Sequence, residues 1–315
     1  MTMLTRTLWQ GLNTPYTRHP LFWRTIREGG GTQFPRRNYH IDIFLERIGI
    51  IYVALVIALW VIVNRLSVSP QWDLLTVLLL LLSLPVWLVI LFLLYLTAFK
   101  GTVFGALWTV RISAAIANQH TRNQIPVLAV SPPGALGASW AVCTGFLYRT
   151  GTFNRYISER RYTVIIATFI APTFLLVRTY ESEHGALLAL IYAAALIASF
   201  YIDSIHSPVV ASLVGVLIPT YTHGEMDTRA IALLVFLLLQ AITFLTTLVT
   251  AMVVLPNLYA SVNWGGVAAE ASIPILSLLA FFAVREGIII GLWQTLRLRI
   301  NISPEEMGIF ANRLV

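Results

Sequence analysis

The sequence predicts an all-α, polytopic membrane protein of about six transmembrane helices, preceded by an N-terminal amphipathic interfacial helix. Three observations carry that prediction. Hydrophobic residues make up 57% of the chain and charged ones only 11%, against roughly 25% charged in an ordinary soluble domain, and mean hydropathy is +0.78. The apolar residues gather into continuous runs approaching or exceeding the ~20 residues that a spanning helix needs. The arginines between those runs fall almost entirely in alternate gaps, the signature of the positive-inside rule.

Each element follows in order. Residues 1–42 form a cytoplasmic amphipathic segment: Leu4, Leu8 and Leu12 recur at helical spacing, and Leu21, Phe22, Trp23 and Ile26 are interleaved with Arg. That pattern suits helices lying among lipid headgroups before a Gly29-Gly30-Gly31 hinge. Residues 43–99 carry the first two spans, Ile43–Val63 and Leu74–Phe99, the second with Pro85 inside. Residues 100–162 form a basic cytoplasmic loop. Residues 163–294 hold the remaining spans: Thr163–Val177, which is short and contains Pro172, then Ala186–Ile202, Ala230–Leu255 and Ile273–Trp293. Pro208–Pro219 is apolar but too short to cross, so it reads as a re-entrant or interfacial piece bounded by Asp203-Ser204 and His223-Gly224. Residues 295–315 are a cytoplasmic tail, in which Ser303-Pro304-Glu305-Glu306 opens a short helix as a capping box. The runs are continuous rather than alternating and too long for barrel strands, which favours helix over strand throughout.

The charges set the orientation. The tail before the first run holds Arg6, Arg18, Arg24, Arg27, Arg36 and Arg37; the gap after the second holds Lys100, Arg111, Arg122, Arg149, Arg155, Arg160 and Arg161. The chain after the last run carries Arg297, Arg299 and Arg313, whereas 64–73 has Arg65 alone and 256–272 has no Lys or Arg. Six spans with both ends in the cytoplasm, in a bacterial inner membrane, satisfy that alternation. The net charge of +7 therefore points to anionic headgroups and not to nucleic acid. A single Cys143 excludes an intrachain disulfide and a cysteine metal cluster. The late first apolar run argues against a cleavable signal peptide.

A search for chemistry yields little. No P-loop and no His-Glu-x-x-His occurs, so catalytic, cofactor and metal residues are all expected to be absent. Asp203 and His206 would share one helical face, as a metal site or proton relay requires, although polar groups closing a helix end explain them more simply. Arg285-Glu286 interrupts the final apolar run, and a charge within a membrane costs about 2.5–3.5 kcal/mol on insertion scales. Neighbouring residues cannot face each other on a helix, so each needs its own partner; for Arg285 the competing explanation is snorkelling to the interface. A short echo relates Phe104–Arg111 to Ile289–Arg297, with Lys100 and Arg285 each eight residues before a Trp.

Two windows carry a family likeness. Thr17–Glu28 is similar to an Asn-Pro-x-x-x-Arg-Glu opening, with His19 in the Asn position and the final Arg27-Glu28 kept after a longer, six-residue spacing, and Ile116-Ala117-Asn118-Gln119 is followed by Val127-Leu128-Ala129-Val130-Ser131-Pro132. With the order of spans, these resemble the permease subunit of a type-2 ABC transporter. Gln119 replaces the family's acidic residue, the usual Gly-Thr is missing, and 134–162 is extra, which describes a divergent member. The resemblance implies a separate ATP-binding subunit docked on the loop after the second span, through Gln119, Arg122, Leu128, Val130, Pro132, Arg149 and Arg155. It also implies no ATPase activity in this chain, a homo- or hetero-oligomer, and an amphipathic or lipid-like solute. The alternative is an accessory subunit of a larger energy-transducing membrane complex, for which interfacial tryptophans and few buried charges suit equally well.

Overall fold

A computed structural model describes residues 3–15, 17, 19–27, 100–119, 134–149, 151–158, 185–222, 224–262 and 266–301. All of these belong to one compact unit built from Met1–Phe34 and Lys100–Val315. In chain order the helices are α1 (Met3–Asn13), α2 (Pro20–Arg27), α3 (100–119), α4 (Gly134–Arg149), α5 (152–158), α6 (Gly185–Leu217), α7 (Glu225–Val249), α8 (Leu255–Val262) and α9 (Val267–Ile300). Among the described residues there is no strand. The expected spans Ile43–Val63, Leu74–Phe99 and Thr163–Val177, and the capping box at Ser303, lie outside the described residues.

Among the described residues three helical stretches are long and apolar enough to cross a membrane: Leu190–Thr220, Glu225–Val262 and Val267–Ile300. They contain the last two expected spans and most of Ala186–Ile202. The first differs from expectation. No turn forms at Asp203-Ser204; α6 runs straight through it and through Pro208, and closes in a 3₁₀ turn at Ile218–Thr220. Pro208–Pro219 is therefore the second half of one long helix and not a re-entrant piece. Two local facts explain this. Pro208 has no N–H, which releases the carbonyl of Ser204 four residues back, and Tyr156 Oη donates to that carbonyl at 3.1 Å. The polar residues that suggest a turn find partners on other helices, described below.

Close approach at glycines sets the packing. A Cβ at Gly101 would collide with the Asp203 carboxylate, and one at Gly215 would fall 2.8 Å from Ile112 Cγ2. Thr109 Oγ1 also donates to Ala211 O at 3.3 Å. These pairs advance together along both chains, so α3 and α6 run parallel. The pairs Asp203–Arg285 and Thr220–Arg299 make α9 parallel to α6 as well. Gln240 with Ser207 and Thr228 with Thr222 make α7 antiparallel to both. The alternation expected of successive spans is thus reproduced in the relative directions of these helices.

From Ile205 to Leu217 every residue of α6 is buried, as are Ile218 and Pro219 in the turn that follows, because α1, α3, α4, α5, α7 and α9 supply neighbours there. Leu8, Leu12, Ile112, Trp140, Leu213 and Ile289 form the centre of that core. Here α1 and α2 depart from the headgroup arrangement expected of them. Their apolar faces (Leu8 and Leu12; Leu21, Phe22 and Ile26) are buried against protein, and α2 lies along α4 with Gly145 against Phe22 O. Helix α4, read as loop from sequence, is buried along most of its length. Outward-facing apolar residues concentrate on α7, including Leu234, Leu238, Leu245 and Leu248, as lipid contact demands. Its last turns pass through a π-helical stretch, Thr250–Val254, directly before Pro256.

Candidate functional site: a buried ionic network

Asp203, His206 and Ser207 occupy successive i, i+3 and i+4 positions of α6, so they share one face. That face meets Arg285 and Glu286 on α9, Gln240 on α7 and Thr5 on α1. Arg285 Nη2 donates to Asp203 Oδ1, and also to Gln240 Oε1 at 2.6 Å; its Nη1 donates to Ser207 Oγ at 3.2 Å. Ser207 Oγ donates in turn to Asp203 Oδ1 at 2.8 Å, and Gln240 Nε2 donates to Ser207 Oγ at 3.2 Å. The guanidinium lies over the rings of Phe281 and Phe244, 5.2 and 5.7 Å from their centroids, which suits a weakly hydrated cation. Among the described residues Arg285 Nε has no hydrogen-bond partner.

The second pair lies one residue away. His206 Nε2 is 3.2 Å from Glu286 Oε1, and His206 Nδ1 is 2.8 Å from Ile202 O. Thr5 Oγ1 donates to Glu286 Oε2 at 2.6 Å. Phe282 closes on the imidazole edge-on at 5.8 Å. Exposures of 1% for Arg285 and His206, 4% for Glu286 and 5% for Asp203 put both pairs out of reach of bulk solvent.

Snorkelling of Arg285 to an interface is not its solution: the guanidinium, 1% exposed, is held inside by an aspartate. Asp203 and His206 do not close a helix end either, since the helix continues to Leu217, eleven residues past His206. Spacing pairs Asp203 with His206 and places Arg285 beside Glu286, and the structure brings the two pairs into one network.

Three participants escaped the sequence reading. Gln240 is the sole side-chain amide in the run from Ala230 to Leu255, whose other polar residues are threonines, and that isolation was a usable signal. Ser207 completes the Asp203 face and could have been found by spacing. Thr5 gave no signal, because its role depends on where α1 docks.

Three of the expected docking residues lie among the described ones. Gln119 is buried at the end of α3, with its Oε1 unpartnered among the described residues. Arg149 closes α4 with its guanidinium 5.8 Å from the Phe146 ring, and Arg155 is exposed on α5. Arg122, Leu128, Val130 and Pro132 lie outside the described residues. At the other likeness window, His19 Nδ1 accepts from Leu21 N at 3.2 Å with Pro20 first in α2; an asparagine there would perform the same cap. Among the described residues no group of His, Cys, Asp and Glu is arranged to hold a metal ion. Comparison with known proteins returns no family model, no curated protein and no solved structure that matches this chain.

Proposed function

We propose that the chain is the permease-like membrane subunit of an ABC-type transporter, which couples to a separate ATP-binding subunit and moves an amphipathic or lipid-like solute. In this reading both termini face the cytoplasm of a bacterial inner membrane, and the ATPase docks on the segment after α3. One observation supports it above the others. Helix α3 feeds directly into that docking segment and lies against α6 with Gly101 on Asp203 and Gly215 on Ile112. Contacts this close leave no compliant side chain between the two rods. A push on the docking segment would reach the ionic network as a shift of packed helices, which is how two-state elements transmit bias. Buried ion pairs give that element two discrete arrangements rather than a continuum, since half-broken pairs are costly.

The test is purification from native membranes with partners identified by mass spectrometry. An ATP-binding chain is expected, with its ATPase rate changed by the permease. Replacing Gln124–Pro132 with a Gly/Ser linker is expected to abolish both association and that effect. Recovery with redox or pigment subunits and no ATPase would refute the proposal in favour of the accessory-subunit reading.

A further inference from the structure

The His206–Glu286 contact carries a proton requirement that its geometry imposes. Ile202 O can only accept, so the proton of a neutral imidazole must sit on Nδ1 to satisfy the 2.8 Å contact. Nε2 then presents a lone pair to Glu286 Oε1 at 3.2 Å. Two acceptors at that separation need a hydrogen between them. Thr5 already donates to the other carboxylate oxygen, and cannot serve Oε1 with the same hydrogen. The pair therefore binds one further proton, held either as imidazolium with carboxylate or as imidazole with carboxylic acid.

The surroundings make that proton consequential. From α9 and α6 the neighbouring charges are Arg285 and Asp203, which satisfy each other on the far side of the network. From α3 comes Lys100, half-buried and 5.6 Å from the Tyr156 ring. From α5 comes the Tyr156 phenol, whose hydroxyl donates to Ser204 O. Helix α7 offers neutral Gln240 at this level, and Arg6 of α1 is exposed. Phe282 packs on the imidazole. With the proton gone, a bare Nε2 lone pair faces a carboxylate in an apolar setting, and hydration would require lifting its cover. That cover is α1: Thr5, Leu8 and Leu12 are all fully buried.

We propose that His206 and Glu286 form a proton-binding site within the membrane whose occupancy seats the N-terminal helix α1. On deprotonation the Nε2–H···Oε1 bridge loses its hydrogen to bulk water as H⁺, leaving a neutral imidazole and a carboxylate. No other covalent bond changes. Helix α1 then unseats, and water reaches the carboxylate. This does not depend on the identity of any partner subunit.

The experiment uses the full chain in lipid nanodiscs, with a fluorescent maleimide as reporter. Leu8→Cys reports unseating of α1, and Arg6→Cys, exposed on the same helix, corrects for the intrinsic pH dependence of thiol reactivity. The labelling ratio of Leu8→Cys to Arg6→Cys is expected to rise at least tenfold between pH 5.5 and 8.5. His206→Gln donates to Glu286 without a titratable proton and is expected to flatten that profile, as is Glu286→Gln. Leu12→Cys, one turn further on and equally buried, guards against a local defect at position 8 and is expected to repeat the rise. A flat ratio in the otherwise unaltered chain, a rise that survives His206→Gln, or disagreement between positions 8 and 12 would each overturn the proposal.

Discussion

Arg285→Met isolates the energetic role of the buried network. The thioether reaches about as far as the aliphatic part of arginine and can occupy the space between Phe281 and Phe244, so the packing loss is small. What remains is an Asp203 carboxylate that has lost its cation, 5% exposed and left with the Ser207 hydroxyl as donor. Removing one partner of a buried pair costs about 3–5 kcal/mol, because the other charge stays behind. The guanidinium's bonds to Gln240 and Ser207 are charge-assisted, worth about 1.5–3 kcal/mol each, but they are lost in Arg285→Met and in any double variant alike, so they cancel from the coupling. Adding Asp203→Asn to Arg285→Met removes the stranded charge. The double variant is therefore expected to be more stable than Arg285→Met alone, with a coupling of about 2 kcal/mol or more. Reversible unfolding by SDS in mixed micelles, followed by circular dichroism, measures all four corners of the cycle. Single effects that add to within about 0.5 kcal/mol would show that the two charges are not energetically paired.

Further outcomes follow from neighbouring contacts. Tyr156→Phe orphans Ser204 O and is expected to cost about 1 kcal/mol; in a Pro208→Ala background, where a new N–H can reach that carbonyl, the same SDS titration is expected to find the cost gone. Gly101→Leu forces a side chain onto Asp203 and is expected to destabilise by about 1–3 kcal/mol or more, whereas Leu107→Ala, exposed on the same helix, is expected to lie within about 0.5 kcal/mol. Burial pushes the Cys143 thiol up from 9.0 to about 12, so the folded state keeps its proton longer than the unfolded one. Its contribution to stability is intact below pH 9 and lost as pH rises toward 12; native Cys143 is expected to resist maleimide at pH 7–9 and to react once the chain is denatured, as read by mass spectrometry.

Sequence alone displayed the parts that depend on composition and period. Runs such as Ala230–Leu255 and Ile273–Trp293 are apolar over more than a span's length, and lipid is the solvent that tolerates them. What it concealed depends on partners distant in the chain. Asp203-Ser204 has the composition of a turn until Arg285, 82 residues later, supplies its counter-charge. Pro208 looks like a breaker until Tyr156 arrives from outside the helix. Gly134–Arg149 has no strong polar side, so nothing in its pattern says that it is helical and enclosed. The ionic residues were visible one by one because charge inside an apolar run is rare. Their association was not, since no local rule links α1 to α9.

The parallel course of α3, α6 and α9 has an electrical consequence. Each helix carries a partial negative charge at its C-terminal end, and here those ends point the same way, stacking their peptide dipoles instead of cancelling them. Arg297 and Arg299 sit in the last turn of α9, and Arg299 donates to Thr220 O where α6 terminates. Guanidinium groups in that last turn thereby neutralise the electric field that three co-directional rods build up at that end.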